Sequence, residues 1–306
     1  MPTNAHGNFS DRKLVVFGAG YIGGTVAAHA RAAGAQVTAI TRNAHAAETI
    51  RAQGMDVVVA DIVEGRWHDR VPSSPDFVLY CASGGGAGLD GYARSYRQGL
   101  ATVIDWLKDR GAASALVYTS STSVYPQGGG ALVDESSATA TPGEDRIGIL
   151  AATEQAIMTA SKAYARAFIL RLSGIYGPQR HALLDEVRTG CVSGDPESHL
   201  NLIHRDDVVS AILRSFESPT AGVGGVFNVS DGSPATRGEI AHWVSQQLGL
   251  TNPQFTGAMR STRRPMPLDR VILNEKIRRQ LDWTPKYPSY REGYRGLFQE
   301  PPAMAL

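Results

Sequence analysis

The stretch that decides the fold is residues 13–25, KLVVFGAGYIGGT, in which an apolar run leads directly into the spacing Gly18-x-Gly20-x-x-Gly23. A run of this length is typical of a buried strand, and the alanine-rich residues that follow are typical of a helix. In such a turn, Gly18 permits a sharp reversal, Gly20 lets a ligand approach the backbone, and Gly23 lets the helix pack closely on the strand. Because the first N–H groups of a helix attract phosphate, the stretch predicts a dinucleotide site that includes Tyr21 and Ile22.

Apolar runs and helical stretches alternate through the first half of the chain. The predicted strands are 13–17, 36–41, 56–60, 77–81, 115–119 and 167–172, and the predicted helices between them are 21–33, 44–53, 89–110 and 147–166. This alternation predicts an α/β fold, a doubly wound parallel sheet of the Rossmann type, with a smaller C-terminal substrate lobe. We assign residues 1–172 and 203–231 to the dinucleotide-binding domain and residues 173–202 and 232–306 to the small lobe. The residues up to Arg12 are expected to be a disordered lead-in.

The composition excludes several classes of partner. The 306-residue chain is 19% charged with a formal net charge of +1, so nothing in it favours nucleic acid or an anionic membrane. No apolar stretch is long enough for a membrane helix, and the polar N-terminus has no signal-peptide core. Because Cys81 and Cys191 cannot build a disulfide framework and the histidines lack metal-ligand spacing, we expect a cytoplasmic protein without a structural metal.

The end of the second predicted strand bears on the choice of dinucleotide. An NAD site would place Asp or Glu near position 41, where its carboxylate accepts hydrogen bonds from the ribose 2′-hydroxyl. The chain has Thr41, Arg42 and Asn43 instead, and a guanidinium suits a 2′-phosphate. These residues therefore favour NADP(H) over NAD(H), although Arg42 could also be an ordinary surface arginine.

Further cofactor contacts are predicted where the third and fourth strands end. They are Asp61 and Ile62 at the adenine, and Ala82 and Ser83 near the nicotinamide ribose. The glycine-rich loop 84–91 follows, so Ser83 and Gly84 are also candidates for contact with a substrate. The alternative is a mobile loop that binds nothing.

The chain resembles the extended short-chain dehydrogenase/reductase superfamily, specifically its NAD(P)-dependent sugar epimerase/dehydratase-like members. The resemblance is carried by residues 18–23, 61–62, 119–125, 171–178, 203–207 and 227–229. It implies a nicotinamide cofactor that also contacts Ser120, Ser173, Gly174 and Ile175. Many relatives have asparagine where Gly174 stands, so the pocket lacks that amide. Relatives dimerise through their long helices, which implies a homodimer here.

The resemblance also implies an active site, and here the chain departs from the pattern. Ser121 matches the residue that hydrogen-bonds the reacting oxygen of the substrate, but none of the five lysines has a tyrosine four residues before it. Counting back from Glu154 puts Arg146 and Leu150 where the family has its proton-donating tyrosine and the lysine. Tyr125, Arg146 and water remain as alternative proton sources. Since the pKa of arginine exceeds ~12, Arg146 is better suited to stabilising charge.

Residues of the small lobe complete the set of substrate candidates. Arg180, Arg263 and Arg264 could clamp an anion or simply lie on the surface. His204 precedes an acidic helix start, and the sequence leaves open whether it faces a ligand or the core.

These observations predict an NADP(H)-dependent oxidoreductase, a reductase or an epimerase-like enzyme, that acts on a small carbonyl or imine substrate by hydride transfer with a non-standard proton donor. The alternative is a catalytically silent NADP(H)-binding sensor or partner protein. The missing tyrosine and lysine favour the alternative, whereas the retained Ser121 and the complete small lobe favour an enzyme.

Overall fold

The computed structural model describes residues 9–84, 88–218, 224–257 and 268–302. The strands are β1 (Lys13–Phe17), β2 (Gln36–Thr41), β3 (Asp56–Val59), β4 (Phe77–Tyr80), β5 (Ala115–Ser121), β6 (Ala131–Val133), β7 (Ala167–Leu172), β8 (Gly174–Tyr176), β9 (Cys191–Val192), β10 (His199–Leu200), β11 (Leu202–His204), β12 (Gly225–Val229), β13 (Ala235–Thr236), β14 (Gln254–Phe255) and β15 (Arg270–Ile272).

Helices connect most of these strands. They are α1 (Gly23–Ala32), α2 (Ala44–Ala52), α3 (Gly88–Ala93), α4 (Gly99–Arg110), α5 (Arg146–Thr159), α6 (Ala182–Arg188), α7 (Arg205–Glu217), α8 (Arg237–Gln247), α9 (Glu275–Leu281) and α10 (Tyr290–Arg295). A π-helical turn, Arg94–Gln98, joins α3 to α4, and short 3-10 turns lie at Ile62–Glu64, His68–Arg70 and Thr122–Val124.

The central sheet has seven strands in the order β12-β7-β5-β4-β1-β2-β3. Its middle strand β1 runs parallel to both neighbours, with Phe17 opposite Ile40 of β2 on one side and Tyr80 of β4 on the other. The chain passes from β3 to β4, which lies on the other side of β1. The carboxyl ends of β1 and β4 therefore flank the crevice in which open α/β sheets bind ligands. The predicted doubly wound sheet is confirmed.

An aromatic cluster anchors one face of this sheet. Phe17 of β1 packs against Trp67 and Trp106, with ring centroids 4.8 and 5.8 Å away, and all three side chains are fully buried. The indole N–H of Trp67 donates to the carbonyl of Ile62 at 2.8 Å. Burial of side chains this large contributes about 1.5–3 kcal/mol each. The cluster therefore fixes α4 and the segment after β3 against β1.

Two expectations about element ends are wrong. Phe9, placed in a disordered lead-in, is fully buried and packs against Phe77 and Phe216, with ring centroids 5.4 and 6.4 Å away. The rest of that lead-in up to residue 8 lies outside the described residues. Helix α5 ends at Thr159 rather than at residue 166, because the chain turns there and Tyr164 pairs with Ala113 in a parallel bridge.

The chain divides into two compact units. Unit 1 comprises residues 1–124, 140–170 and 211–226, and unit 2 comprises residues 125–139, 171–210 and 227–306. The expected boundaries differ, because four segments assigned to the dinucleotide-binding domain belong to unit 2, namely residues 125–139, 171–172, 203–210 and 227–231. Strand pairing explains this: β6 runs parallel to β15, with Ala131 opposite Arg270, and β11 runs parallel to β8, with Leu202 opposite Gly174.

Unit 2 has a hydrophobic core of its own. Leu184 of α6, Val244 of α8 and Tyr294 of α10 are buried in it. The ring of Tyr176 lies 4.8 Å from that of Tyr294, and Gly293 leaves room for the Tyr176 hydroxyl, which a Cβ at that position would overlap. Among the helices that the structure describes, none is both long and apolar enough to cross a membrane.

Candidate functional site

The glycine turn between β1 and α1 has the geometry that its sequence predicts. Gly18 adopts a φ of +96°, and a Cβ there would lie 2.5 Å from the backbone nitrogen of Ala82. A Cβ on Gly23 would overlap the carbonyl oxygen of Gly18. By contrast, a Cβ on Gly20 would have no atom within 4 Å. Protein backbone thus excludes side chains at positions 18 and 23, whereas Gly20 faces open space that a pyrophosphate fits.

The start of α1 supplies a complementary charge. Its N-cap residue, Ile22, offers no side-chain hydrogen bond, and the first turn contains no acidic residue. The N–H of Gly18 donates to the carbonyl of Ile40 at 3.1 Å, and the thiol of Cys81 donates to the carbonyl of Gly18 at 3.0 Å. The turn is therefore held from two sides, and the partial positive charge of the helix start favours an anion. These residues fit a dinucleotide.

Polar residues at the end of β2 shape the turn into α2. The hydroxyl of Thr41 accepts a hydrogen bond from the N–H of Asn43 at 3.1 Å, and the side-chain oxygen of Asn43 accepts one from the N–H of Ala46 at 3.0 Å. Asn43 is therefore the N-cap of α2. Arg42 lies exposed between them, so its predicted contact with a 2′-phosphate stays a prediction.

Asp61, predicted to contact adenine, already has two partners in the fold. One oxygen of its carboxylate accepts a hydrogen bond from the N–H of Val63 at 3.0 Å, and the other pairs with Arg94 at 3.2 Å. The carbonyl of the neighbouring Ile62 accepts a hydrogen bond from the indole N–H of Trp67. The Asp61 carboxylate therefore ties the end of β3 to the π-helical turn, and an adenine contact has to share an oxygen that is already paired.

The loop after β4 is held by the π-helical turn. The hydroxyl of Tyr80 donates to the carbonyl of Ser95, and the N–H of Gly99 donates five residues back to Arg94. A Cβ on Gly99 would overlap the Tyr80 hydroxyl, so this insertion requires glycine. Insertion of a polar group into the helical ladder is a recognised cause of such wide turns. The hydroxyl of Ser95 then donates to the carbonyl of Ser83 at 3.1 Å and fixes that residue.

The predicted substrate contact Gly84 lies where this loop meets α3. A Cβ on Gly84 would lie 3.2 Å from the Cα of Tyr92, so the two backbones touch. Residues 85–87 of the glycine-rich loop lie outside the described residues.

Ser120 and Ser121 end β5 with different surroundings. The hydroxyl of Ser120 donates to the carboxylate of Glu154 at 2.5 Å, and both side chains are buried. Ser120 therefore links β5 to α5. Ser121 is half-buried, and its oxygen accepts a hydrogen bond from the N–H of Ser123 at 3.2 Å, which leaves its own proton to donate. The hydroxyl of Ser121 is therefore able to donate a hydrogen bond to a ligand.

The start of α5 is fixed by several contacts within unit 1. Asp145 caps the helix by accepting from the N–H of Gly148 at 2.7 Å. Arg97 pairs with Glu144 at 3.0 Å and donates to the carbonyl of Gly143 at 3.0 Å. A Cβ on Gly148 would lie 2.5 Å from the nitrogen of Gly143, so the loop lies directly on the first turn. The backbone that carries Arg146 is thus firmly positioned.

The side chain of Arg146 lies over an aromatic ring. Its guanidinium carbon is 5.5 Å from the centroid of the Tyr92 ring, which in turn lies 4.3 Å from the ring of Tyr96. A cation at this distance from a ring face is attracted to it. One turn later, Leu150 is 1% exposed and belongs to the core. The position that counting back from Glu154 assigns to the family lysine is therefore occupied by a buried apolar side chain.

Tyr125, one of the candidate proton donors, lies in unit 2 and is 1% exposed. Its hydroxyl donates to the side-chain oxygen of Asn228 at 2.7 Å and accepts from Arg171 at 2.7 Å. Arg270 donates to the Tyr125 carbonyl at 2.7 Å. Burial raises the pKa of Tyr125, against the opposing charge of Arg171. This placement favours a structural role for Tyr125 over proton transfer.

The residues predicted to contact nicotinamide after β7 also lie in unit 2. The N–H of Ser173 donates to the carbonyl of Val229 at 3.0 Å, and its buried hydroxyl has no hydrogen-bond partner among the described residues. Gly174 is exposed, and a Cβ there would lie 3.0 Å from the carbonyl oxygen of Asn201. Ile175 is half-buried in β8. Ser173 therefore retains an unused donor for a ligand or a water.

His204 faces the core of unit 2 and is 3% exposed. Its Nδ1 accepts a hydrogen bond from the N–H of Asp206 at 3.2 Å, and its ring lies 4.0 Å from that of Tyr287. Burial lowers the pKa of His204 to about 4, so the ring is neutral near pH 7. The possibility that it faces a ligand is not supported.

The candidate anion clamps differ in what can be said of them. Arg180 is half-buried and shares a turn with Gly177, each N–H donating to the carbonyl of the other, at 2.9 and 3.0 Å. Arg263 and Arg264 lie outside the described residues. Within the described ranges, no three His, Cys, Asp or Glu side chains form a group that could hold a metal ion.

Sequence reasoning missed the aromatic and arginine residues around the π-helical turn, Tyr92, Arg94, Tyr96 and Arg97. Their spacing offered a signal, because residues 92 and 96 are four apart and share one helix face. The pairing of Tyr92 with Arg146 could not be seen, since it depends on the contact between α3 and α5.

Comparisons with known proteins agree with this geometry. Residues 14–230 match the model of the NAD dependent epimerase/dehydratase family. Protein YeeZ of Escherichia coli strain K12 is 29% identical over 120 residues, which span 39% of this chain and only 40% of YeeZ. A functionally unknown conserved protein from Silicibacter pomeroyi DSS has a TM-score of 0.74 at 25% identity, over 93% of this chain and 97% of that one.

A characterised fold relative is the UDP-N-acetylglucosamine 4-epimerase from Methanobrevibacter ruminantium M1, solved in complex with UDP-N-acetylmuramic acid. It has a TM-score of 0.78 at 17% identity, over 94% of this chain and 96% of the epimerase. At this identity the likeness shows the fold alone.

Proposed function

Because the chain belongs to the NAD dependent epimerase/dehydratase family, within the extended short-chain dehydrogenase/reductase superfamily, we propose that it is an NADP(H)-dependent oxidoreductase, a reductase or an epimerase-like enzyme. Its substrate is a small carbonyl or imine compound. The observation that carries the proposal is the glycine turn, in which backbone fills the space at Gly18 and Gly23 but leaves Gly20 open. Neither a positive φ nor a clash within the fold requires glycine at position 20, so close approach of a ligand is the reason that we assign to it.

The preference for NADP(H) rests on the end of β2. Residues 41–43 contain no carboxylate, and Arg42 is exposed at the place where a ribose 2′-phosphate would lie. The hydroxyl of Thr41 and the amide oxygen of Asn43 are used in the turn itself. Arg42 is therefore the residue that we assign to the phosphate.

Ser121 orients the substrate. When bound, the nicotinamide supplies or accepts a hydride at the reacting carbon. With a carbonyl substrate, the Ser121 hydroxyl donates a hydrogen bond to the oxygen on which negative charge develops. With a protonated imine, whose nitrogen has an N–H and no lone pair, the Ser121 oxygen accepts from that N–H instead. Since Tyr125 is buried and paired, and arginine is a poor acid, we assign the proton to water. An imine that arrives protonated needs no further acid, so it suits this site better than a ketone.

Two measurements test this function. Titration of the protein with NADPH and NADH, followed by nicotinamide fluorescence, should show binding with NADPH preferred. Turnover of a panel of small carbonyl and imine compounds should then be lost in Ser121→Ala, because the variant lacks the hydroxyl but keeps the fold. Unchanged turnover in Ser121→Ala would remove this residue from the mechanism, and absence of NADPH binding would reject the whole proposal.

The burial of Leu150 favours a second candidate function, a catalytically silent NADP(H)-binding sensor or partner protein. Leu150 lies at the position that we assign to the family lysine and is buried in the core, so it offers no cation to a cofactor. NADPH binding without turnover of any compound in the panel would support this candidate over the enzyme.

We further propose that the protein is a cytoplasmic homodimer. A surface groove of about 450 Å³ runs between α4 and α5 and is lined in part by small side chains, Ala101, Ala152 and Ala156. Met158 on the same helix is 68% exposed. Small side chains let helices approach closely. Light scattering should report a dimer, and Ala156→Arg should convert it to a monomer; a monomeric wild type would reject this assembly.

A further inference from the structure

Three arginines surround the start of α5, and they are not equivalent. Arg94 pairs with Asp61 at 3.2 Å, and Arg97 pairs with Glu144 at 3.0 Å. For Arg146, no ion pair with a carboxylate is found among the residues that the structure describes; its guanidinium lies on the ring of Tyr92. Two of the three charges are thus neutralised within the fold, and one is left over.

The contact with Tyr92 orients this remaining charge without neutralising it. A guanidinium stacked on a ring keeps its N–H donors at the edge of the plane, where they can meet a further partner. The ring of Tyr96 lies 4.3 Å from that of Tyr92 and packs against it. The arrangement keeps the positively charged guanidinium of Arg146 beside the Tyr92 ring.

The start of α5, which carries Arg146, lies at the same edge of the sheet as Ser121. Strands β4 and β5 are parallel neighbours, with Tyr80 opposite Tyr118, so the segments that follow them leave the sheet side by side. Gly84 on the first of these segments touches the backbone of Tyr92. Helix α5 packs against the turn Thr122–Val124, which directly follows Ser121. All of these residues belong to unit 1.

We propose that Arg146 binds a carboxylate of the substrate, so that the substrate is a small carbonyl or imine compound that carries a carboxylate. The inference rests on the proposed function, since it extends the same site. The single positive charge of Arg146 balances a monoanion such as a carboxylate, whereas it would balance only half the charge of a phosphate dianion. The planar fork of arginine suits the two oxygens of a carboxylate. Ser121 then holds the reacting group and Arg146 selects the substrate.

The test uses unreactive probes, so it does not depend on turnover. The NADPH-saturated full-length protein is titrated with oxamate, malonamate and succinamate, and with the matching diamides oxamide, malonamide and succinamide. The series varies the distance between carbonyl and carboxylate, and each pair is closely matched in shape but replaces the charged carboxylate with a neutral amide. At least one carboxylate should bind, and its diamide should bind about 10–100-fold more weakly, since hydrogen bonds to charged groups are worth about 1.5–3 kcal/mol.

Variants of the two partners sharpen the result. Arg146→Gln should lower the affinity for the carboxylate by about 10–100-fold and leave the affinity for its diamide unchanged. Arg146→Lys should restore only part of the affinity, because it lacks the planar fork. Tyr92→Phe keeps the ring face and should bind like wild type, whereas Tyr92→Leu should bind more weakly. Arg278→Gln, at an exposed position of unit 2, is the matched control for loss of one positive charge.

The outcomes separate this inference from the function beneath it. If NADPH itself does not bind, the proposed function fails. If NADPH binds but no carboxylate binds better than its diamide, the substrate class is wrong. If a carboxylate binds equally well to wild type and Arg146→Gln, while NADPH affinity is unaltered in both, the assignment to Arg146 is overturned.

Discussion

The glycine turn after β1 and the start of α5 border the same edge of the sheet, yet they relate to the family pattern in opposite ways. The turn keeps every glycine, and at Gly18 and Gly23 backbone atoms occupy the space that a side chain would need. The start of α5 is a regular helix, but Arg146 and buried Leu150 lie at the positions that counting back from Glu154 assigns to the family tyrosine and lysine. A site made of backbone tolerates no replacement, whereas a site made of side chains can change its chemistry on an unchanged helix.

The largest expected effect comes from filling the turn. Gly23→Val would place a branched side chain against the Gly18 carbonyl and 2.6 Å from the Cys81 sulfur, so the free energy of unfolding should fall by about 3 kcal/mol. NADPH binding should be lost with it. Chemical denaturation and NADPH titration measure both. The control is Gly24→Ala, whose Cβ would have its nearest neighbour at 3.5 Å and should be tolerated. Equal stability of Gly23→Val and Gly24→Ala would contradict the claim that backbone atoms exclude side chains from position 23.

Placing a lysine at residue 150, the position assigned to the family lysine, tests the start of α5. Leu150→Lys buries an ammonium at a position that is 1% exposed, which should cost about 3 kcal/mol of stability. Leu150→Met preserves apolar volume and should cost less than about 1.5 kcal/mol. Thermal or urea unfolding compares the two. Equal stability of Leu150→Lys and wild type would mean that this position can accommodate a cation, and that burial does not explain the leucine there.

The choice of dinucleotide gives a smaller effect. Arg42→Ala should weaken NADPH binding by about tenfold and leave NADH binding unaltered, because only the 2′-phosphate loses a charged partner. Fluorescence titration with both dinucleotides checks this. Arg51→Ala removes another exposed arginine from the neighbouring helix and serves as the control. If Arg42→Ala keeps the full preference for NADPH, the assignment of Arg42 is wrong.

The smallest effect concerns the turn into α2. Asn43→Ala removes the side-chain oxygen that accepts from Ala46 and should lower the unfolding free energy by about 1 kcal/mol. Asn43→Asp keeps an oxygen cap and should retain wild-type stability. The urea midpoints of wild type, Asn43→Ala and Asn43→Asp measure this difference in stability. An alanine variant as stable as wild type would show that the cap contributes nothing.

The sequence predicted what depends on neighbouring residues. The turn at Gly18–Gly23 could be inferred because its constraints lie within a few residues of backbone. The surroundings of Tyr125 could not, because its partners Arg171 and Asn228 are 46 and 103 residues away along the chain. The same holds for unit boundaries: nothing near residues 125–139 reveals that β6 pairs with β15. Phe9 was misjudged because its polar neighbours concealed its contacts with Phe77 and Phe216.

The wide turn between α3 and α4 changes how relatives of this chain should be aligned. A π-helical turn contains one more residue than an α-helical turn, and successive residues of an α-helix are about 100° apart around the helix axis. The face of α3 that carries Tyr92 and the face of α4 that buries Leu100 are therefore out of phase with a continuous helix. In a relative whose helix is continuous here, the residues before the turn are shifted by one place relative to those after it, so an ungapped alignment would mispair one of the two sides.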